Sequence, residues 1–221
     1  MMYISLLIIL IRLAGIFQSD QPQFKGGQDN LHAFIKNNLI YPEYSRENCL
    51  QGTINVSFKL NKNGRIYDSE VQKGFGIDLD LEALRIVRLS SGKWIIPPGY
   101  DTTTALVLPV NFSLKNYDCE QRDRDQINAA ISAYHARTDL TRAILNFYDK
   151  KSAGEANPRE EPEILSLKEQ LGYNDKYIAR LYKQALRKLK QGDKESACED
   201  FDLVRRLGSD IADKSIEENC R

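Results

Sequence analysis

Leu106, Leu108, Val110, Phe112 and Leu114 occupy every second position of one short stretch, with Val107, Pro109, Asn111 and Ser113 between them. Successive side chains of a strand point to opposite faces, so this stretch can bury only one of its two sides. It requires a sheet covered on one face, and something apolar to cover it. Ile54, Val56, Phe58 and Leu60 repeat the pattern, alternating with Asn55, Ser57 and Lys59. The turn Asn61-Lys62-Asn63-Gly64 follows, with residues that tolerate positive φ, and Ile66 to Val71 returns as the second strand of a hairpin. Ile66 and Val71 fall out of phase, which predicts a bulge. Pro109 lies on the opposite face of the last strand and cannot donate to a ladder, which marks an edge strand or a gap in pairing.

Two amphipathic helices supply the cover. Leu31, Phe34, Ile35 and Leu39 recur at helical spacing, with Asn30 or Asp29 as the cap and Pro42 as the stop. Leu81, Leu84 and Val87 form a second stripe, capped by Asp80, with Glu82 in its first turn and Ser90-Ser91-Gly92 at its end. The order helix–strand–strand–helix–strand gives an α+β fold with a small antiparallel sheet and two helices. Gly52 and Gly64 suit positions where a side chain would obstruct a turn. Trp94 reads as a core or core-edge aromatic.

After Leu114 the character changes. The segment from Cys119 to Tyr148 is polar and helical, with Ile127, Ala130, Ile131, Tyr134, Ile144, Leu145 and Tyr148 suggesting a face. A charged loop runs from Ser152 to Pro162, and helical pattern resumes from Glu163, interrupted at Gly172, Gly192 and Gly208. The expected organisation is a leader over residues 1–19, the α+β domain over 20–115, and an all-α domain over 116–221 joined near Asn116.

The leader carries an apolar run from Tyr3 to Phe17 broken only by Arg12. It is shorter than the roughly 20 residues that cross a bilayer, and its core matches a secretory signal. A cleaved signal peptide and a short uncleaved anchor are the two readings, and either exports the rest of the chain. Membrane contact is expected only through this segment. Cys49, Cys119, Cys198 and Cys220 then fall in an oxidising compartment, where disulfides and buried thiols are the competing states.

Thirty-one basic residues balance 31 acidic ones, so no overall field draws nucleic acid to the chain. The basic stretch from Arg180 to Lys194 reads as a solvated helix face. No Cys-x-x-Cys pair accompanies His32 and His135, so no metal site is expected. Serines lack a nucleophile-elbow context, and no phosphate loop or dinucleotide fingerprint occurs. Glu160-Glu161 and the pair Asp78 and Asp80 read as a solvated loop and a helix start. The expectation is a chain that is not an enzyme and takes no cofactor.

Several short pieces recur in one order over about ninety residues. They are Pro22-x-Phe24-x-Gly26-Gly27, Leu31 with Phe34-Ile35, Leu39-x-Tyr41-Pro42, Gln51-Gly52-x-Ile54-x-Val56-x-Phe58 and Asn63-Gly64-x-Ile66. Leu79-Asp80-x-Glu82-Ala83-Leu84, Lys93-Trp94, Pro98-Gly99 and Pro109-Val110-x-Phe112 complete the set. In these pieces the first domain resembles the C-terminal domain of TonB energy transducers, in the form common among Bacteroidota. The resemblance implies a periplasmic protein-binding module in the envelope of a Gram-negative bacterium. Its partner would be a peptide segment, as of an outer-membrane transporter, added as a strand to a sheet edge. The edge chosen is the last strand, about residues 103–114, where backbone groups and the outward Ala105, Val107, Asn111 and Ser113 would meet the peptide. An unpaired edge also carries the liability of homodimer formation. A force-transmitting member has a long spacer. Here about ten residues separate leader from domain, reaching at most about 35 Å, so a stand-alone binding or adaptor role is expected. The alternative is a helical-repeat scaffold with the sheet domain as its tether.

Lys190-Gln191-Gly192-Asp193, Ala197, Phe201 and Leu207 resemble the second half of a tetratricopeptide repeat, with Ala185 at the small position of the preceding helix. One unit, over about residues 174–221, is expected. Cys198 on the second repeat helix and Cys220 on the closing helix then form one candidate disulfide. Cys49 and Cys119, flanking the first domain, form the other.

Overall fold

The computed structural model describes residues 20–115, 117, 119 and 123–220. The leader and the junction expected near residue 116 lie outside the described residues. In chain order the elements are β1 (Gln23–Phe24), α1 (Gly27–Asn38), α2 (Glu43–Glu47), β2 (Gly52–Leu60) and β3 (Ile66–Lys73). They continue with α3 (Asp78–Leu89), β4 (Trp94–Ile95), β5 (Leu106–Phe112), α4 (Arg124–Ser152) and α5 (Glu161–Gln170). The chain closes with α6 (Asp175–Lys190), α7 (Lys194–Arg206) and α8 (Asp213–Asn219). This is the α+β arrangement followed by a helical region that the sequence pattern requires.

The hairpin β2–β3 and the last strand β5 form an antiparallel sheet in the order β3-β2-β5. β2 pairs with β5 from Gly52 opposite Phe112 to Phe58 opposite Leu106. The β2–β3 ladder shifts register between Asn55 and Val56 and again between Lys59 and Leu60. The second shift, which leaves Tyr67 unpaired between Ile66 and Asp68, accounts for the phase break between Ile66 and Val71. At the turn, Gly64 has φ +70°, and a Cβ there would stand 2.1 Å from the Trp94 carbonyl oxygen. Only glycine meets both conditions.

Ile54, Val56, Leu60, Val110 and Phe112 are at most 1 % exposed and face α1 and α3. Each such side chain contributes about 1.5–3 kcal/mol by leaving water. Trp94 joins this core edge-on to Phe24, and its Nε1 donates to Ser90 Oγ at 3.0 Å. A small second ladder, β1 with β4, holds these aromatics in place.

Three local features differ from the sequence expectation. The first helix begins at Gly27, behind a left-handed Gly26, rather than behind a cap at Asn30 or Asp29. Pro42, expected as the stop of the first helix, lies beyond its end at Asn38 and opens the five-residue α2, because its fixed φ suits a helix start. The third helix begins at Asp78, and Asp80 instead accepts from the Phe75 and Gly76 amides of the preceding loop.

The helical part has its own core of Ile144, Tyr173, Ile178, Leu181, Ala185, Ala197, Phe201, Val204, Leu207 and Ala212. Ala185 and Ala197 are fully buried where α6 and α7 pack as an antiparallel pair. The small side chains let the two backbones approach. Helix α4 starts at a capping box of Asp123 and Gln126. It serves both cores: Ile127, Ala130, Ile131 and Tyr134 pack on the first, Ile144, Leu145 and Tyr148 on the second.

Two disulfides fix outlying segments. Cys49 is bonded to Cys119, tying the turn before β2 to the segment after β5. Cys198 is bonded to Cys220, tying α7 to the residue that ends α8.

Candidate peptide-binding edge

Strand pairing fixes which backbone groups of β5 are used. The Asn61 amide donates to the Arg65 carbonyl at 2.9 Å, so odd-numbered residues of β2 turn their backbone groups toward β3. Even-numbered ones therefore turn toward β5, where even meets even: Ile54 opposite Val110, Val56 opposite Leu108. The Leu114 amide continues this parity, donating to Gln51 Oε1 at 2.6 Å. By alternation, the N–H and C=O groups of Ala105, Val107, Asn111 and Ser113 point away from β2, toward the side of β5 that no described strand covers.

Pro109 belongs to the same outward row. Its nitrogen faces the open side, so the sheet loses no ladder bond to it. An added strand would find one donor missing at the centre of the edge. The side chains of Ala105, Val107, Asn111 and Ser113 are all exposed, on the face opposite α1 and α3. Asn111 is partly engaged: Thr53 Oγ1 donates to its Oδ1 across the ladder at 3.2 Å.

At the Ser113 end of this edge lies a groove of about 450 Å³. It is lined by Leu39, Ile40, Tyr41, Glu43 and Arg46, by Ser113, Leu114 and Tyr117, and by Arg180, Gln184 and Arg187 of α6. Arg180 is ion-paired with Glu43, and Arg187 donates to the Leu39 carbonyl at 3.3 Å. Tyr41 donates to the Leu50 carbonyl at 2.6 Å and stacks edge-on against Phe112. Burial, with a smaller contribution from the Asp78 carboxylate, pushes its phenol up to about 12.

The helical part is held beside the edge by a buried ion network that the sequence did not reveal. Arg85, 7 % exposed, donates to both oxygens of Glu82 at 2.7 and 2.8 Å. It also reaches Asp193 at 2.9 Å, Gln191 at 3.1 Å and the Asn38 carbonyl at 2.7 Å. Burial raises the Glu82 carboxyl, opposed by Arg85. Glu82 also accepts from the Ile40 amide at 2.6 Å. In sequence, Glu82 and Arg85 look like an ordinary surface pair three residues apart. Only the α6–α7 turn closing over them makes them an interior site. A second clasp is Arg137, whose guanidinium lies over the rings of Tyr44 and Tyr173, one from each core.

His32 and His135 are both exposed and far apart in role, His135 standing near Gly76. Among the described residues no cluster of His, Cys, Asp and Glu could hold a metal ion. No described helix is long and apolar enough to cross a membrane.

A one-sided antiparallel sheet with β5 as an outer strand, backed by two helices, defines this part of the chain as a small α+β domain. Residues 37–114 match the family described as Gram-negative bacterial TonB protein C-terminal. Over these residues the chain is similar to TonB C-terminal domains. A similar solved structure is the C-terminal domain of TonB from Helicobacter pylori, determined by NMR in solution. It is 24 % identical, with 40 % of this chain and 95 % of that one covered, at a TM-score of 0.34. No curated protein matches the chain.

Proposed function

We propose that this chain is a protein-binding module of the cell envelope that captures an extended peptide by strand addition to β5. Residues 20–115 carry the binding, and residues 116–221 form a helical appendage containing one tetratricopeptide-like unit. The observation that carries this reading is the outward row of backbone groups from Ala105 to Ser113, set on a sheet whose other face is fully packed. Main-chain hydrogen bonds would give affinity, and the alternating side chains of the guest would give register. The TonB-type match of residues 37–114 supports a partner such as an outer-membrane transporter.

Titration of the exported chain with N-terminal peptides of outer-membrane transporters tests this. Capture is expected, with chemical-shift changes concentrated on Ala105, Val107, Asn111 and Ser113. Perturbation confined to the helical part would oppose the reading. Sedimentation of the free chain checks whether a second copy occupies the same edge, since a dimer paired through β5 would compete with the peptide.

A further inference from the structure

We infer that the helical appendage completes the peptide site and selects a guest with acidic residues beside its strand-forming segment. This rests on the strand-addition reading and names the chemistry of its partner. The groove shares Ser113 with the outward row of β5, and half of its charged lining comes from α6, outside the TonB-type segment. Three guanidinium groups, those of Arg46, Arg180 and Arg187, face it against one carboxylate, Glu43.

Glu43 is already taken up by Arg180, which donates to it from Nε at 3.0 Å. Arg187 spends one donor on the Leu39 carbonyl and has no carboxylate partner among the described residues. Arg46 makes no side-chain hydrogen bond among the described residues. The chain as a whole has no net charge, so this local excess is not a reflection of composition. A guanidinium presents several donors in a planar fork suited to carboxylates. A guest strand paired along β5 passes directly from the edge into this fork cluster. The Arg85 network and the Arg137 clasp hold α6 where its arginines can take part.

The probe is a synthetic peptide of about ten residues, a common strand length, alternating threonine and valine with an aspartate pair at each end. Its control replaces every aspartate with asparagine. Against the full exported chain, the acidic peptide is expected to bind about tenfold tighter, with the advantage shrinking in high salt. The double variant Arg46→Ala/Arg187→Ala should lose that advantage, and Arg46→Lys/Arg187→Lys should keep most of it. The lysine pair, together with circular dichroism of both variants, separates lost charge from lost fold. Equal affinity for the two peptides overturns the inference while leaving strand addition standing. So does an alanine double variant that binds the acidic peptide as tightly as the native chain. Failure of both peptides to bind overturns strand addition and the inference together.

Discussion

The sheet core and the helical core obtain their contacts in different ways. β2 finds its partner β5 across the intervening hairpin and α3, with Gly52 opposite Phe112, so the first core forms only when distant segments meet. The tightest helical contact is between α6 and α7, neighbours joined at Gln191 to Asp193. Loop closure makes the first arrangement slow to assemble, whereas the second is largely local. Yet the two are not independent. Arg85 inserts from α3 into the α6–α7 turn, and α4 runs through both cores. The local unit is fastened to the non-local one at the place where the open edge ends.

Removing the fastening gives the largest expected effect. Arg85→Ala leaves the buried Glu82 and the half-buried Asp193 without their cation, which costs about 3–5 kcal/mol. Urea unfolding of the native chain should follow one transition, and the variant should separate into two. A variant that still unfolds in one step, at native urea concentration, would mean the parts are joined elsewhere.

The disulfides sharpen the same contrast. Cys49–Cys119 closes a span of 70 residues in the sheet part, and Cys198–Cys220 a span of 22 in the helical part. Chain entropy then assigns about 4 kcal/mol to the longer bridge and about 3 kcal/mol to the shorter. Paired Cys→Ser replacements, compared by thermal melting, should rank in that order.

Alkaline titration probes packing around the tyrosines. Burial, aided by Asp78, pushes the phenols of Tyr41 and Tyr134 up to about 12. The folded form therefore holds its proton where the unfolded form, near 10, has lost it. Their contribution is intact below about pH 10 and disappears as the pH rises toward about 12. Tyrosinate absorbance should lag behind that of a denatured control over this window. Coincident curves would contradict the packing described for both residues.

The smallest effect on stability is expected from Val107→Pro. Its amide points to the open side, as the nitrogen of Pro109 already does, so melting should shift by less than about 1 kcal/mol. Leu108→Pro, one residue on, would remove a donor from the β2 ladder and should unfold the sheet. Equal damage from the two would refute the assigned parity of β5.

Much of the sheet could be read directly from residues. Alternation at Leu106 to Leu114 and at Ile54 to Leu60 set both strands and their buried faces, and Pro109 marked the edge. Gly64 and the out-of-phase Val71 announced the turn and one of the two bulges. The helical breaks at Gly172, Gly192 and Gly208 were equally local signals, each with positive φ. What escaped was tertiary. Glu82 reads as a helix-start carboxylate and nothing in the sequence singles out Arg85, because the groups that bury them, Gln191 and Asp193, lie more than a hundred residues away. Arg180 and Arg187 read as a solvated face, which describes their helix but not the groove it borders. The short β1, β4 and α2 carry too few residues for any period to emerge.

Hydrogen exchange on β5 tests the central claim most directly. In the free chain, the amides of Leu106, Leu108, Val110 and Phe112 should be protected by β2, while those of Val107, Asn111 and Ser113 exchange rapidly. Addition of a strand-forming transporter peptide should slow the second set and leave the first unchanged. A bound peptide that leaves Val107, Asn111 and Ser113 unprotected would contradict strand addition at this edge.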